Sequence, residues 1–76
     1  MKAYDVWYTV PGEQTSTIVL VKPGEDLETA LSEKDSRFDS GTRWSSIESK
    51  REISLSTVLI KDLSITEFMK LMGKEV

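Results

Sequence analysis

The stretch KAYDVWYTVPGEQTSTIVLVK, residues 2–22, decides the fold class, because it reads as two strands joined by one turn. Lys2 to Val10 is rich in aromatic and β-branched residues and stops at Pro11-Gly12; Thr15 to Lys22 repeats that composition and stops at Pro23-Gly24. A loop over Pro11 to Gln14 sets Val10 opposite Thr15, Tyr8 opposite Thr17, Val6 opposite Val19 and Tyr4 opposite Val21. Side chains alternate along a strand, so Ala3, Asp5 and Trp7 share the reverse face with Ile18 and Leu20. Both faces are substantially apolar, and each needs a cover.

Beyond the hairpin, Glu25 to Asp35 reads as a short helix with Leu27, Ala30, Leu31 and Lys34 on one stripe. Glu25, Asp26 and Glu28 stand in its first turn, where negative charge meets the positive end of the backbone dipole, and Glu33 lies one turn from Arg37. Asp35 to Gly41 is a loop anchored by Phe38. Arg43 to Ser49 reads as a strand, since its serines favour extended backbone even though Trp44 and Ile47 have helical spacing. Ile53, Leu55, Val58, Leu59 and Ile60 read as a last strand with a bulge at Ser56-Thr57.

The final helix has the best local signature. Ser64-Ile65-Thr66-Glu67 is a capping box, and Leu63 and Phe68 have the spacing of a hydrophobic staple. Ile65, Phe68, Met69 and Met72 fall on one face, Lys70 and Lys74 suit the negative end, and Gly73 can take a left-handed stop. The order β-β-α-β-β-α predicts a single α+β domain over residues 1–76, a four-stranded antiparallel sheet with two short helices on one face.

At this length there is room for one core, and such a chain buries only roughly 60% of the surface its unfolded form exposes. Small domains usually gain stability from disulfides, a metal or a partner. The chain has no Cys and no His, which removes disulfides and also zinc, haem, copper and iron–sulfur sites. A protein partner or a second copy is the remaining source, and no cofactor is expected. The longest apolar run, Ile18 to Val21, is far short of a membrane span, and no stretch near Met1 resembles a signal peptide; cytoplasmic residence is the default expectation.

The absence of His and Cys also removes the imidazole base and the thiol nucleophile, and no enzymatic role is expected. Ser49-Lys50 is a formal dyad, but adjacent strand residues point to opposite faces. The acidic trio Glu25, Asp26 and Glu28 lacks the loop pattern of a calcium site and is explained by a helix start. Pro23-Gly24 lacks the glycine spacing and Lys-Ser/Thr pair of a phosphate loop.

Two binding readings remain. The net charge of −3 is uneven: residues 34–51 are locally basic, and Lys34, Arg37, Phe38, Arg43, Trp44, Lys50 and Arg51 interleave cations with rings. That pattern suits a single-stranded nucleic-acid surface with Arg37, Arg43, Trp44, Lys50 and Arg51 as contacts, although Asp35, Asp39, Glu48 and Glu52 lie among them. The favoured reading starts from the hairpin. Two small helices cannot cover both of its faces, so Trp7, Ile18, Leu20 and Ala3 form the expected contact for another protein or a second copy. A short, acidic, metal-free chain of this kind suits a small regulatory or inhibitory factor of the phage or mobile-element type.

Overall fold

The computed structural model describes residues 1–73. Strands β1 (Lys2–Val10), β2 (Glu13–Val21) and β3 (Ser46–Ile53) form an antiparallel sheet in the order β2-β1-β3, with helices α1 (Leu27–Lys34) and α2 (Ile65–Met72). The hairpin turn is tighter than the composition suggests. Pro11 fixes its first position, Gly12 occupies the second at φ +91°, and Val10 pairs with Glu13. Every cross-strand pair is displaced by two residues from expectation, so that Val6 meets Thr17 and Tyr4 meets Val19. A shift of two preserves which face each side chain occupies.

The sheet has three strands, not the expected four. The third starts later than Arg43 and continues through Ile53, whose partner is Ala3. It was hard to see because Ser46–Ile53 is almost wholly polar; as an edge strand it buries little beyond Ile47 and Ile53, which are half-buried. The segment read as a fourth strand instead forms two 3-10 turns, Leu55–Thr57 and Ile60–Asp62. Ser54 decides this locally. Its hydroxyl accepts from the Ser56 N–H and its carbonyl accepts from Thr57 Oγ1 and the Thr57 N–H, so side chains take the backbone groups that a strand ladder would need.

The core lies on one face of the sheet. Val6, Tyr8, Val10, Val19 and Val21 pack with Ala30 and Leu31 of α1 and with the loop anchor Phe38, whose ring meets Tyr8 edge-on at 6.0 Å. Helix α1 starts at Asp26, whose side chain accepts from the Thr29 N–H, and it presents its apolar stripe to that core. Just past its end, Tyr8 donates its hydroxyl proton to Asp35 at 2.7 Å. Arg37 closes the array by bonding Asp35 and Glu13 rather than the expected Glu33.

Helix α2 does not join α1 on this face, which is a second correction to the expected architecture. It lies beside the outer edge of β2, where Glu67 accepts the Leu20 N–H that faces away from β1. The capping box closes as the sequence implies: Ser64 Oγ accepts from the Glu67 N–H and Glu67 accepts from the Ser64 N–H. Gly73 ends the helix at φ +72°. Lys74, expected to favour this terminus, lies outside the described residues.

Candidate protein-docking site

Helix α2 is turned inside out relative to an ordinary surface helix. An α-helix advances roughly 100° per residue, so residues three and four apart share a side. Glu67 and Lys70 share one such side, and they are the two buried residues of the helix, only 3% and 6% exposed. Ile65, Phe68, Met69 and Met72 share the opposite side with Leu71 beside them, and all five are substantially open to solvent, Ile65 at 85%. The preceding turn adds Leu59 and Ile60, the latter 75% exposed, and Leu55 is also open.

The inward side of α2 explains this orientation. Glu67 stands 2.7 Å from Lys34 Nζ and also holds the Leu20 N–H at 2.8 Å and the Ser64 N–H at 3.1 Å. Lys34, at the end of α1, donates further to the backbone carbonyls of Ile18 and Asp62. One ammonium thereby ties the β2 edge, the second 3-10 turn and α2 together. One turn on, Lys70 Nζ reaches Glu25 at 3.2 Å and Glu33 at 3.5 Å. Every buried side-chain polar atom among the described residues has a partner, so the desolvation cost of these charges is met by pairing. The same contacts blunt the β2 edge: Leu20 N–H, Ile18 C=O and Lys22 N–H, which bonds Glu25, are occupied and cannot template another strand.

The hairpin residues expected to meet a partner are dispersed by this arrangement. Ala3 and Leu20 are fully buried and offer no surface. Ile18 is half-buried beside a groove that Lys61, Asp62, Leu63 and Ser64 also line, which places the post-β3 segment along the reverse face of the sheet. Trp7 alone stays open, 43% exposed, in a shallow groove with Asp5, Ser16, Ser49 and Arg51. The sequence signal for the apolar surface was present all along in the spacing of Ile65, Phe68, Met69 and Met72. What it lacked was the direction in which that face points.

The basic and aromatic residues of 34–51 are not brought together either. Arg37 is engaged by Asp35 and Glu13, and Arg51 pairs with Asp5 at 3.4 Å. Arg43 stacks over Trp44 with its guanidinium carbon 4.7 Å from the ring centroid. Lys50 alternates to the opposite sheet face from Arg51, where it lines a groove with Asp26, Glu28 and Glu48, and it also borders the groove that holds Trp7 and Arg51.

The shifted protonation equilibria belong to structure rather than to a reactive site. Bonding to Arg37, reinforced by the Tyr8 hydroxyl against the opposing effect of burial, holds the Asp35 carboxyl down at about 2. Burial, with the bond to Asp35 next, pushes the Tyr8 phenol up to about 12. Asp26 is lowered by its cap bonds to the Thr29 N–H and hydroxyl, and Glu48 by the hydroxyls of Ser46 and Thr9. Among the described residues no cluster of three or more Asp or Glu is arranged to hold a metal, and no helix is long and apolar enough to cross a membrane.

No family model matches the chain, and no curated protein or solved structure matches it.

Proposed function

We propose that this chain is a non-catalytic protein-binding module whose docking surface is the outward face of α2, extended by Leu59 and Ile60. One observation carries the reading. A helix whose charged residues are sealed against the body is held in that orientation by its polar side, while its five large apolar residues keep between 36% and 85% of their surface in water. Contiguous exposed apolar surface of this size is the usual mark of an interaction site, and methionine and phenylalanine are enriched at interface centres. The position of contact thus moves from the hairpin to the helix, while the class of function stays a protein contact. The lack of His and Cys supports leaving chemistry out of the role.

A small regulatory or inhibitory factor acting in a reducing compartment such as the cytoplasm is part of the same proposal, supported by the short, cysteine-free chain. The nucleic-acid reading has less support, because Arg37 and Arg51 are matched by carboxylates, Arg43 and Trp44 lie in the loop before β3, and Lys50 alternates to the sheet face opposite Arg51.

A photo-crosslinking amino acid placed at Ile65, and separately at the exposed Glu28 of α1, tests the surface in the cells that make the protein. The expected result is a discrete protein adduct from position 65 that is lost on adding Met69→Lys, with none from position 28. No protein adduct at 65, or equal adducts at both positions, overturns the proposal.

A further inference from the structure

Resting on that reading, we infer that the occupant of the α2 face is a second copy of this chain, paired through antiparallel α2 helices about a two-fold axis. Charge makes the first argument. In a two-fold interface each patch meets itself, so any charge on it faces a like charge. The outward positions of α2 are Ile65, Phe68, Met69 and Met72, flanked by Thr66 and Leu71, all uncharged, and both charged residues of the described helix are turned inward. Such a face can meet itself without repulsion and offers nothing for a strongly charged partner to recognise. A lipid surface is disfavoured by the same fact: an interfacial helix needs basic residues on its polar face, and here Lys70 is buried between Glu25 and Glu33 in a chain of net charge −3.

Area makes the second argument. A large side chain has roughly 150–250 Å² to lose when fully covered. With exposures from 36% to 85%, the five large apolar residues of α2 leave on the order of 500 Å² open, so two copies bury about 1,000 Å² between them, enough for a specific interface of the smaller kind. The open face is a sizeable part of each copy's total surface of 5089 Å². Self-association also supplies the extra burial that a domain of this length lacks within its own core.

The middle of α2 falls at Phe68 and Met69, so in an antiparallel pair Met69 lies near its own counterpart at the axis. Sedimentation equilibrium from about 1 µM to about 1 mM, the range over which ordinary small interfaces form, should carry the protein from 8.6 kDa to twice that mass. Met69→Lys and Met69→Glu should each weaken the dimer by about 100-fold or more, because each buries two like charges. Mixing the two variants should restore the doubled mass, and circular dichroism of each should match the wild type.

A chain that stays at 8.6 kDa throughout overturns the self-pairing. If the crosslink from position 65 then lands on a different protein, the binding reading survives without it. If instead there is no protein adduct and the chain co-sediments with phosphatidylcholine–phosphatidylserine vesicles, both fall. A dimer that persists in each single variant places the contact elsewhere and overturns this assignment.

Discussion

Helices α1 and α2 are each eight residues long and capped by side chains, yet they are held to the sheet by opposite means. Helix α1 buries Ala30 and Leu31 and leaves Glu28 and Glu33 exposed, with Lys34 at its end turned to Glu67 of α2. Helix α2 buries Glu67 and Lys70 and turns its apolar side chains outward. Apolar burial is non-directional and tolerates small displacements, whereas a buried carboxylate holding an ammonium and a backbone N–H is satisfied in only one place. The contrast teaches that α1 supplies stability, while α2 is positioned by polar contacts that leave its greasy side available.

The largest expected effect comes from testing that division on the apolar side. Leu31→Ala removes a side chain with no exposure and should cost about 3–5 kcal/mol, a large part of the roughly 4–11 kcal/mol that a domain of this length commands. The matching truncation on α2, Met72→Ala, should change monomer stability by less than about 0.5 kcal/mol, because more than half of that side chain is already in water. Urea denaturation at concentrations too dilute for self-association measures both. Equal costs would mean that the α2 face is covered within the monomer and the contrast is false.

The next effect addresses the polar attachment. Lys34→Met leaves the buried Glu67 carboxylate without its counter-ion and frees the carbonyls of Ile18 and Asp62, a loss of about 3 kcal/mol by analogy with broken buried pairs. The cost should be confined, because α2 can release before the core opens. Amide exchange should accelerate at Leu20 and along α2 while Val6 and Leu31 keep their protection. Adding Glu67→Leu should return only part of the loss, since it removes the uncompensated carboxylate but leaves the Leu20 and Ser64 N–H groups without their acceptor. Equal acceleration at Val6 would show that the two helices form one cooperative unit.

How much of this was readable beforehand follows the range of the forces involved. The ends of α2 were legible because a capping box is chemistry between residues three apart, and the faces of the hairpin were legible because alternation survives a register shift of two. The direction of α2 was not. Amphipathic spacing says which side chains share a face, but which face turns inward depended on Lys34 and Leu20, distant in sequence from Glu67. Glu67 gave no warning, since its capping role alone explains its presence. Ala3 and Leu20, expected on an open hairpin face, are buried for a related reason: the segment after β3 runs beside that reverse face instead of extending the sheet, and only Trp7 of the hairpin group stays open.

The smallest effect lies at the junction of the two regimes, where the end of α1 is secured by Tyr8, Asp35, Arg37 and Glu13. Asp35 is held near 2, below its ordinary value of 3.8, mainly by Arg37. A carboxyl with a lowered folded-state pKa stabilises the fold above its unfolded value and loses that contribution as pH falls towards the folded value. The contribution should therefore be full at neutral pH and fade between about pH 4 and pH 2. Arg37 is half exposed, so solvent screening limits the contribution to about 1 kcal/mol at most. Asp35→Asn keeps the shape and removes the charge, and its stability deficit relative to wild type should shrink across that acid window. The phenol shows the other half of the coupling. In a Tyr4→Phe background Tyr8 is the sole tyrosine, and spectrophotometric titration should place it near 12 with Asp35 intact. With Asp35→Asn it should move part of the way towards 10 and stop, because burial, the larger cause, is unchanged. Stability held by the neutral phenol is complete below pH 10 and is lost as pH rises through about 12, so the array should weaken at both extremes and for opposite reasons. A deficit that stays constant from pH 7 to pH 2 would show that the Asp35 carboxylate is not what fastens the end of α1.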